Sequence, residues 1–140
     1  MKILLAVDGS PFTKRMLAYL AAHDEWLGGR HEYTVLNTVA PVPARAAAVI
    51  DRETLKSYYA ETSEAVFKPI RTFFKKQGIE ASFVGKVGHA PEVIAKTAES
   101  GDFDLLVMGS HGHGALGNLV MGSVATKVLS ACKTPVLLIR

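Results

Sequence analysis

Five short runs of apolar residues punctuate the chain, at positions 3–7, 33–39, 79–87, 104–108 and 136–139. Most are continuous rather than alternating, the pattern of strands buried on both faces of a parallel sheet. Between them the spacing changes to that of helices. From Pro11, apolar side chains recur at Phe12, Met16, Leu17, Leu20 and Ala21, and Gly28 and Gly29 end the pattern. Ser10 suits an N-cap and Pro11 a first helical position. Residues 52–77 form a long helix with Leu55, Tyr58, Tyr59, Val66, Ile70 and Phe74 inward, Pro69 as a point of kinking and Gly78 as its stop. Two shorter helices are predicted over 91–100 and 123–131, the second presenting Val124, Val128 and Leu129. Residues 41–50 are rich in Ala and Pro and weakly patterned, which predicts an excursion away from the sheet.

Strands alternating with helices predict an α/β fold: one domain over residues 1–140, a parallel sheet with helices on both faces and right-handed crossovers. Ligands of such sheets sit at the carboxyl ends of the strands, where the strand order reverses. If the first and fourth strands are neighbours, Asp8 and Gly109 occupy opposite lips of that crevice.

Composition narrows the function classes. Of 140 residues, 49% are hydrophobic and 21% charged, as in folded globular chains. The net charge of +3 is mild, and the Lys and Arg form no stripe with interleaved aromatics, so nucleic acid is not the expected partner. The single Cys132 rules out an intrachain disulfide and a multi-cysteine metal site, and reads as a small buried hydrophobe. The apolar run at 3–7 is too short for a signal segment or a membrane span, and the expectation is a soluble cytoplasmic protein.

The candidate chemistry lies in residues 104–123, DLLVMGSHGHGALGNLVMGS. Gly109, Gly112, Gly114, Gly117 and Gly122 fall between a strand and a helix, and Asp104 is the last acidic residue of the chain. A glycine-rich loop without carboxylates, opening a helix, suits an anion. Rival readings of the loop fail on specific residues. Positions 112–117 spell G-x-G-x-x-G, but no acidic residue follows to hold a ribose. A Walker A loop requires Gly-Lys-Ser/Thr, and Gly117 precedes Asn118 and Leu119. His111-Gly112-His113-Gly114 has the wrong order for the HxGH signature of nucleotidyltransferases. His89, His111 and His113 are a thin metal set without nearby Cys or carboxylate. Blander roles stay open: turn glycines at 109, 112 and 122, Asp8 as cap of the first helix, and Ser123 as a plain N-cap. Tyr58, Tyr59, Phe73 and Phe74 read as core and rim packing.

Gly109, two residues, Gly112, nine residues, Gly122 and then Ser123 resembles the pattern of the universal stress protein family, in its ATP-binding branch. The likeness covers the whole chain, including KILLAVDGS, LLVMGSHG, GSVA and the closing TPVLLIR. It implies a Rossmann-like, adenine nucleotide alpha hydrolase-like sheet of five parallel strands in the order 3-2-1-4-5. By the same resemblance, Asp8 lies at the ribose, Thr38 meets adenine through its backbone, and Met108 and Gly109 flank the nucleoside. Gly112, Gly122, Ser123 and Val124 would offer amides to the phosphates, with the Ser123 hydroxyl as a further donor. Ala6, Val7, Val39, His111 and His113 complete the implied nucleotide-binding set. His113 stands where the family often has Arg or Lys, and a neutral imidazole grips phosphate less firmly than a cation.

The implied ligand is ATP, or ADP or AMP, with Mg²⁺ carried on the phosphates rather than in a protein cage. The implied role is a nucleotide-responsive signalling or stress-tolerance module with no catalytic residue. Two other classes stand beside it: a slow ATPase or phosphotransferase using His111 and His113, and a nucleotide-free interaction module. Val136, Leu137, Leu138 and Ile139 would leave an unbroken apolar edge. The resemblance implies that they pair antiparallel across a two-fold axis to form a homodimer.

Overall fold

A computed structural model describes residues 1–28, 30–114 and 120–140. Five strands, β1 (Lys2–Ala6), β2 (Glu32–Val39), β3 (Ala81–Val87), β4 (Leu105–Gly109) and β5 (Val136–Ile139), form one sheet in the order β3-β2-β1-β4-β5. Every pairing is parallel. The fold is therefore the expected doubly wound one. β1 is flanked by β2 and β4, with Ala6 opposite Leu36 on one side and Met108 on the other.

Alternate strand residues build two cores, because successive side chains point to opposite faces. On one face Ile3, Leu5 and Val35 pack with Met16 and Leu20 of α1 (Pro11–Ala22) and Phe67, Ile70 and Phe74 of α4 (Arg52–Lys76). On the other, Leu4, Leu36 and Leu106 pack with Ile94 and Ala98 of α5 (Ala90–Ser100) and Val128 of α6 (Ser123–Ala131). Leu4, Leu5 and Leu106 are fully buried, and burying each such side chain is worth about 1.5–3 kcal/mol.

The cap residues act as their chemistry suggests. Ser10 Oγ accepts from the Phe12 amide, and Pro11 opens α1. Gly78, at φ +68°, ends the turn after α4. Other expectations need correction. The first helix does not run to Gly28: His23 is extended and donates its amide to Leu20 O, and a separate turn, α2 (Asp24–Leu27), follows. Gly29 lies outside the described residues. Residues 41–50 do stay outside the sheet, as expected, and contain one helical turn, α3 (Ala44–Ala47), with the Val42 amide donating to Tyr59 Oη. β3 begins at Ala81, not at 79. Ala21, Tyr58 and Leu129 are exposed rather than inward, and Phe67 takes the core position on α4. Among the described residues no helix is long and apolar enough to cross a membrane.

Candidate functional site

The helices after β1 and β4 leave for opposite faces of the sheet, and the strand ends part between them. A crevice of about 370 Å³ opens there. Its apolar lining comes from Ala6, Phe12, Leu36, Ala90, Ile94, Met108 and Ala125. Its polar and glycine lining comes from Asp8, Thr13, Gly109, His111, Gly112, His113 and Ser123. Val7, Thr38, Gly122 and Val124 also reach it. Among the described lining residues Asp8 is the sole carboxylate.

Asp8 is fixed by the turn into α1. Its Oδ1 accepts from the Ser10 amide at 2.9 Å and from Thr13 Oγ1 at 3.1 Å. Thr13 Oγ1 accepts in turn from the amides of Asp8 and Gly9, each at 3.2 Å. Gly9 sits at φ +77°, a conformation that glycine adopts without steric cost. Ser10 is the cap of α1, and the Asp8 carboxylate closes the turn before it. Oδ2 points toward the glycine loop, where a Cβ on Gly112 would come within 2.5 Å of it.

The three spaced glycines are not there for a left-handed backbone. Gly109, Gly112 and Gly122 have no positive φ. Close approach bears on them instead: a Cβ on Gly109 would meet Phe12 Cβ at 2.6 Å, and one on Gly122 would sit tightly, 3.1 Å from His111 Cα. Gly122 is also the N-cap of α6, so Ser123 is the first helical residue and not the cap. The Gly122 amide donates to Ser110 O at 2.7 Å and is therefore engaged. The first intrahelical donor is Thr126, to Gly122 O at 3.1 Å. The amides of Ser123, Val124 and Ala125 thus stand at the helix mouth, where anions are favoured.

Beyond Leu36, β2 outruns β1. Their ladder finishes with the Val7 amide donating to Leu36 O at 2.9 Å. Thr38, two residues on, turns its main chain the same way as Leu36, into the gap that β1 has left. Its side chain lies against the crevice with Oγ1 buried and unpartnered. Val39 does not line this crevice. It faces the opposite side of the sheet, beside Tyr59, Ser63 and Phe67, because neighbouring strand residues alternate.

The two loop histidines are engaged. His111 Nδ1 lies 2.8 Å from Ser110 Oγ, and its ring stacks at 5.0 Å from that of Phe12. His113 Nε2 lies 2.7 Å from the carbonyl of Asp8 and so ties the loop to the opposite lip. His89 sits at the start of α5 near Glu92. Among the described residues no group of three or more His, Cys, Asp or Glu could hold a metal. The G-x-G-x-x-G reading of 112–117 extends beyond the described residues. Phe12, Thr13, Leu36, Ala90, Ile94 and Ala125 line the crevice in addition to the residues the sequence suggests. Leu36 shares a strand face with Thr38, a signal present in the alternation. Ala90 and Ile94 depend on how α5 packs.

The model of the universal stress protein family matches residues 1–140. A universal stress protein of Thermus aquaticus is 34% identical over 138 residues, 99% of this chain and 97% of its own length. Universal stress protein Slr1230 of Synechocystis sp. is 30% identical over 141 residues; these cover 99% of this chain, which spans only 42% of that relative. The structure of MJ0577, from Methanocaldococcus jannaschii, matches with a TM-score of 0.78 at 26% identity, covering 99% of this chain and 94% of that one. The universal stress protein from Archaeoglobus fulgidus in complex with dAMP matches at 0.65 and 24% identity, over 100% of this chain and 98% of its own. An Arabidopsis thaliana family protein with AMP bound matches at 0.70 and 15% identity, over 99% and 90%. The last two likenesses are of fold.

Proposed function

The chain belongs to the universal stress protein family, and from that premise we propose that it binds an adenine nucleotide and acts as a nucleotide-responsive module. The observation that carries this reading is the set of groups the crevice gathers. It brings together apolar side chains, the strand backbone at Thr38, a buttressed carboxylate and a carboxylate-free helix mouth. Adenine fits the apolar lining, ribose hydroxyls donate to Asp8 Oδ2, and phosphates meet the amides of Ser123 and Val124. Fold neighbours that hold AMP and dAMP support the choice of base.

ATP is the ligand of this reading, with ADP and AMP as shorter occupants. Mg²⁺ enters only on the phosphates, since the described residues offer no donor set of their own. The module is one domain of residues 1–140 that dimerises through β5, an outer strand of the sheet. Calorimetric titration with ATP and GTP tests the reading. Heat with ATP that is lost in Gly122→Asp supports it. No heat with ATP at high micromolar concentration contradicts it.

A further inference from the structure

Asn37 lies between Leu36 and Thr38 on β2 and points away from the crevice, into the face covered by α4. It is a polar side chain in an apolar run, and it is 5% exposed. Its Nδ2 donates to the carbonyl of Val7 at 2.9 Å. Its Oδ1 accepts from Ser63 Oγ of α4 at 3.1 Å. Ser63 is also buried, and its seat depends on Gly85 of β3, where a Cβ would stand 2.7 Å from Ser63 Oγ.

The Val7 carbonyl occupies a particular place in the sheet. The Val7 amide makes the last rung to Leu36 O. In a parallel ladder the next rung would run from the Thr38 amide to Val7 O. The orientation of the strand agrees, since the Val39 carbonyl points the other way and accepts from the Gly88 amide of the β3 side. Instead of that rung, the Asn37 side chain supplies the donor. A buried carbonyl needs one partner, and once Asn37 provides it β1 can leave β2 without loss.

We propose that Asn37 is a positioning residue that holds the β1–β2 split open, so that the Thr38 main chain stays available to the base of a nucleotide. The proposal rests on the adenine-nucleotide reading above. Asn37 touches no ligand. It acts from the opposite face of the sheet, and Ser63 sets the direction of its amide. Without the Asn37 donor, Val7 O recruits the Thr38 amide, the strands zip one rung further, and the crevice loses its hydrogen-bonding edge. The same carbonyl precedes Asp8, so the clamp links α4 to both the base and the ribose positions.

The test combines amide hydrogen exchange by NMR with calorimetry on the wild type, Asn37→Leu and Ser63→Ala, titrated with ATP and with inorganic tripolyphosphate. In the wild type without ligand the Thr38 amide exchanges freely, and in Asn37→Leu it becomes protected. ATP affinity falls about tenfold in Asn37→Leu and about threefold in Ser63→Ala, as expected for a lost buried hydrogen bond. Tripolyphosphate affinity stays unchanged in both. A merely structural role would weaken both ligands together and leave Thr38 exchange unaltered, and either result overturns the proposal. A Thr38 amide already protected in the ligand-free wild type overturns it as well. Ser63→Ala keeps every backbone group and tests the clamp if Asn37→Leu does not fold. A wild type that gives no heat with ATP defeats the nucleotide reading itself, whereas normal wild-type binding with unaffected variants defeats only the role of Asn37.

Discussion

Any residue other than glycine at position 112 would place its Cβ 2.5 Å from Oδ2 of Asp8. The two residues come from opposite lips of the crevice, one after β4 and one after β1. This near-contact turns the glycine of the loop pattern into a steric requirement of the carboxylate. Gly112→Ala must displace either the loop or Asp8. It is expected to weaken ATP binding by about tenfold or more, since a displaced carboxylate loses its bonds to the ribose. Calorimetry on a variant with an unaltered circular dichroism spectrum checks this, and unchanged affinity would show that Oδ2 does not serve the ligand.

Thr38 Oγ1 is buried without a hydrogen-bond partner. Such a hydroxyl opposes folding, and valine has nearly the same shape. Thr38→Val is therefore expected to stabilise the ligand-free protein by about 1 kcal/mol. Urea unfolding measures the change. ATP affinity should hardly move, because the proposed contact at this position is made by the main chain.

Burial pushes the Tyr33 phenol from its ordinary value of 10.0 up to about 12, and its hydroxyl donates to the Trp26 carbonyl. The folded state thus keeps a proton that the unfolded state gives up. A raised value means that the stabilisation is complete below pH 10 and is lost as pH rises from 10 toward 12. Unfolding followed by Trp26 fluorescence should show this alkaline loss in the wild type and a weaker one in Tyr33→Phe. At neutral pH the variant should be less stable by about 1 kcal/mol, because the Trp26 carbonyl loses its partner.

β5 lies at the edge of the sheet, with Val136, Leu137 and Leu138 only partly buried and Ile139 at 8% exposure. An apolar edge strand of this kind invites pairing. Sedimentation is expected to show a dimer at tens of micromolar and a monomer for Leu138→Lys. A monomeric wild type would contradict the pairing.

The sheet could be read from the chain because each strand is a compact apolar run closed by turn residues, and because a parallel sheet buries both faces of its inner strands. Asp8 and Gly109 fall on opposite lips once β1 and β4 are neighbours, an order that the family resemblance implies and the apolar pattern leaves open. The errors have separate physical causes. The resemblance puts Val39 in the nucleotide-binding set, but alternation with Thr38 turns it to the opposite face. α4 has 25 residues, about 37 Å at helical rise, whereas β2 has 8, about 26 Å. Its first turns therefore overhang the sheet, and Tyr58 is 49% exposed despite its helical spacing. Gly122 fits the expected pattern, but its amide is taken by Ser110 O, a contact across the loop that no spacing reveals. Ala90 and Ile94 reach the crevice only through the packing of α5. Asn37 did carry a signal, a lone amide inside a buried strand, but its partner on α4 could not be known before the fold.

The most direct measurement is a crystal structure of the protein grown with ATP. The account predicts a nucleotide in the crevice, with its base against Thr38, its ribose on Asp8 Oδ2 and its phosphates at the amides of Ser123 and Val124. An empty crevice at saturating ATP, or a nucleotide bound elsewhere on the molecule, would contradict it.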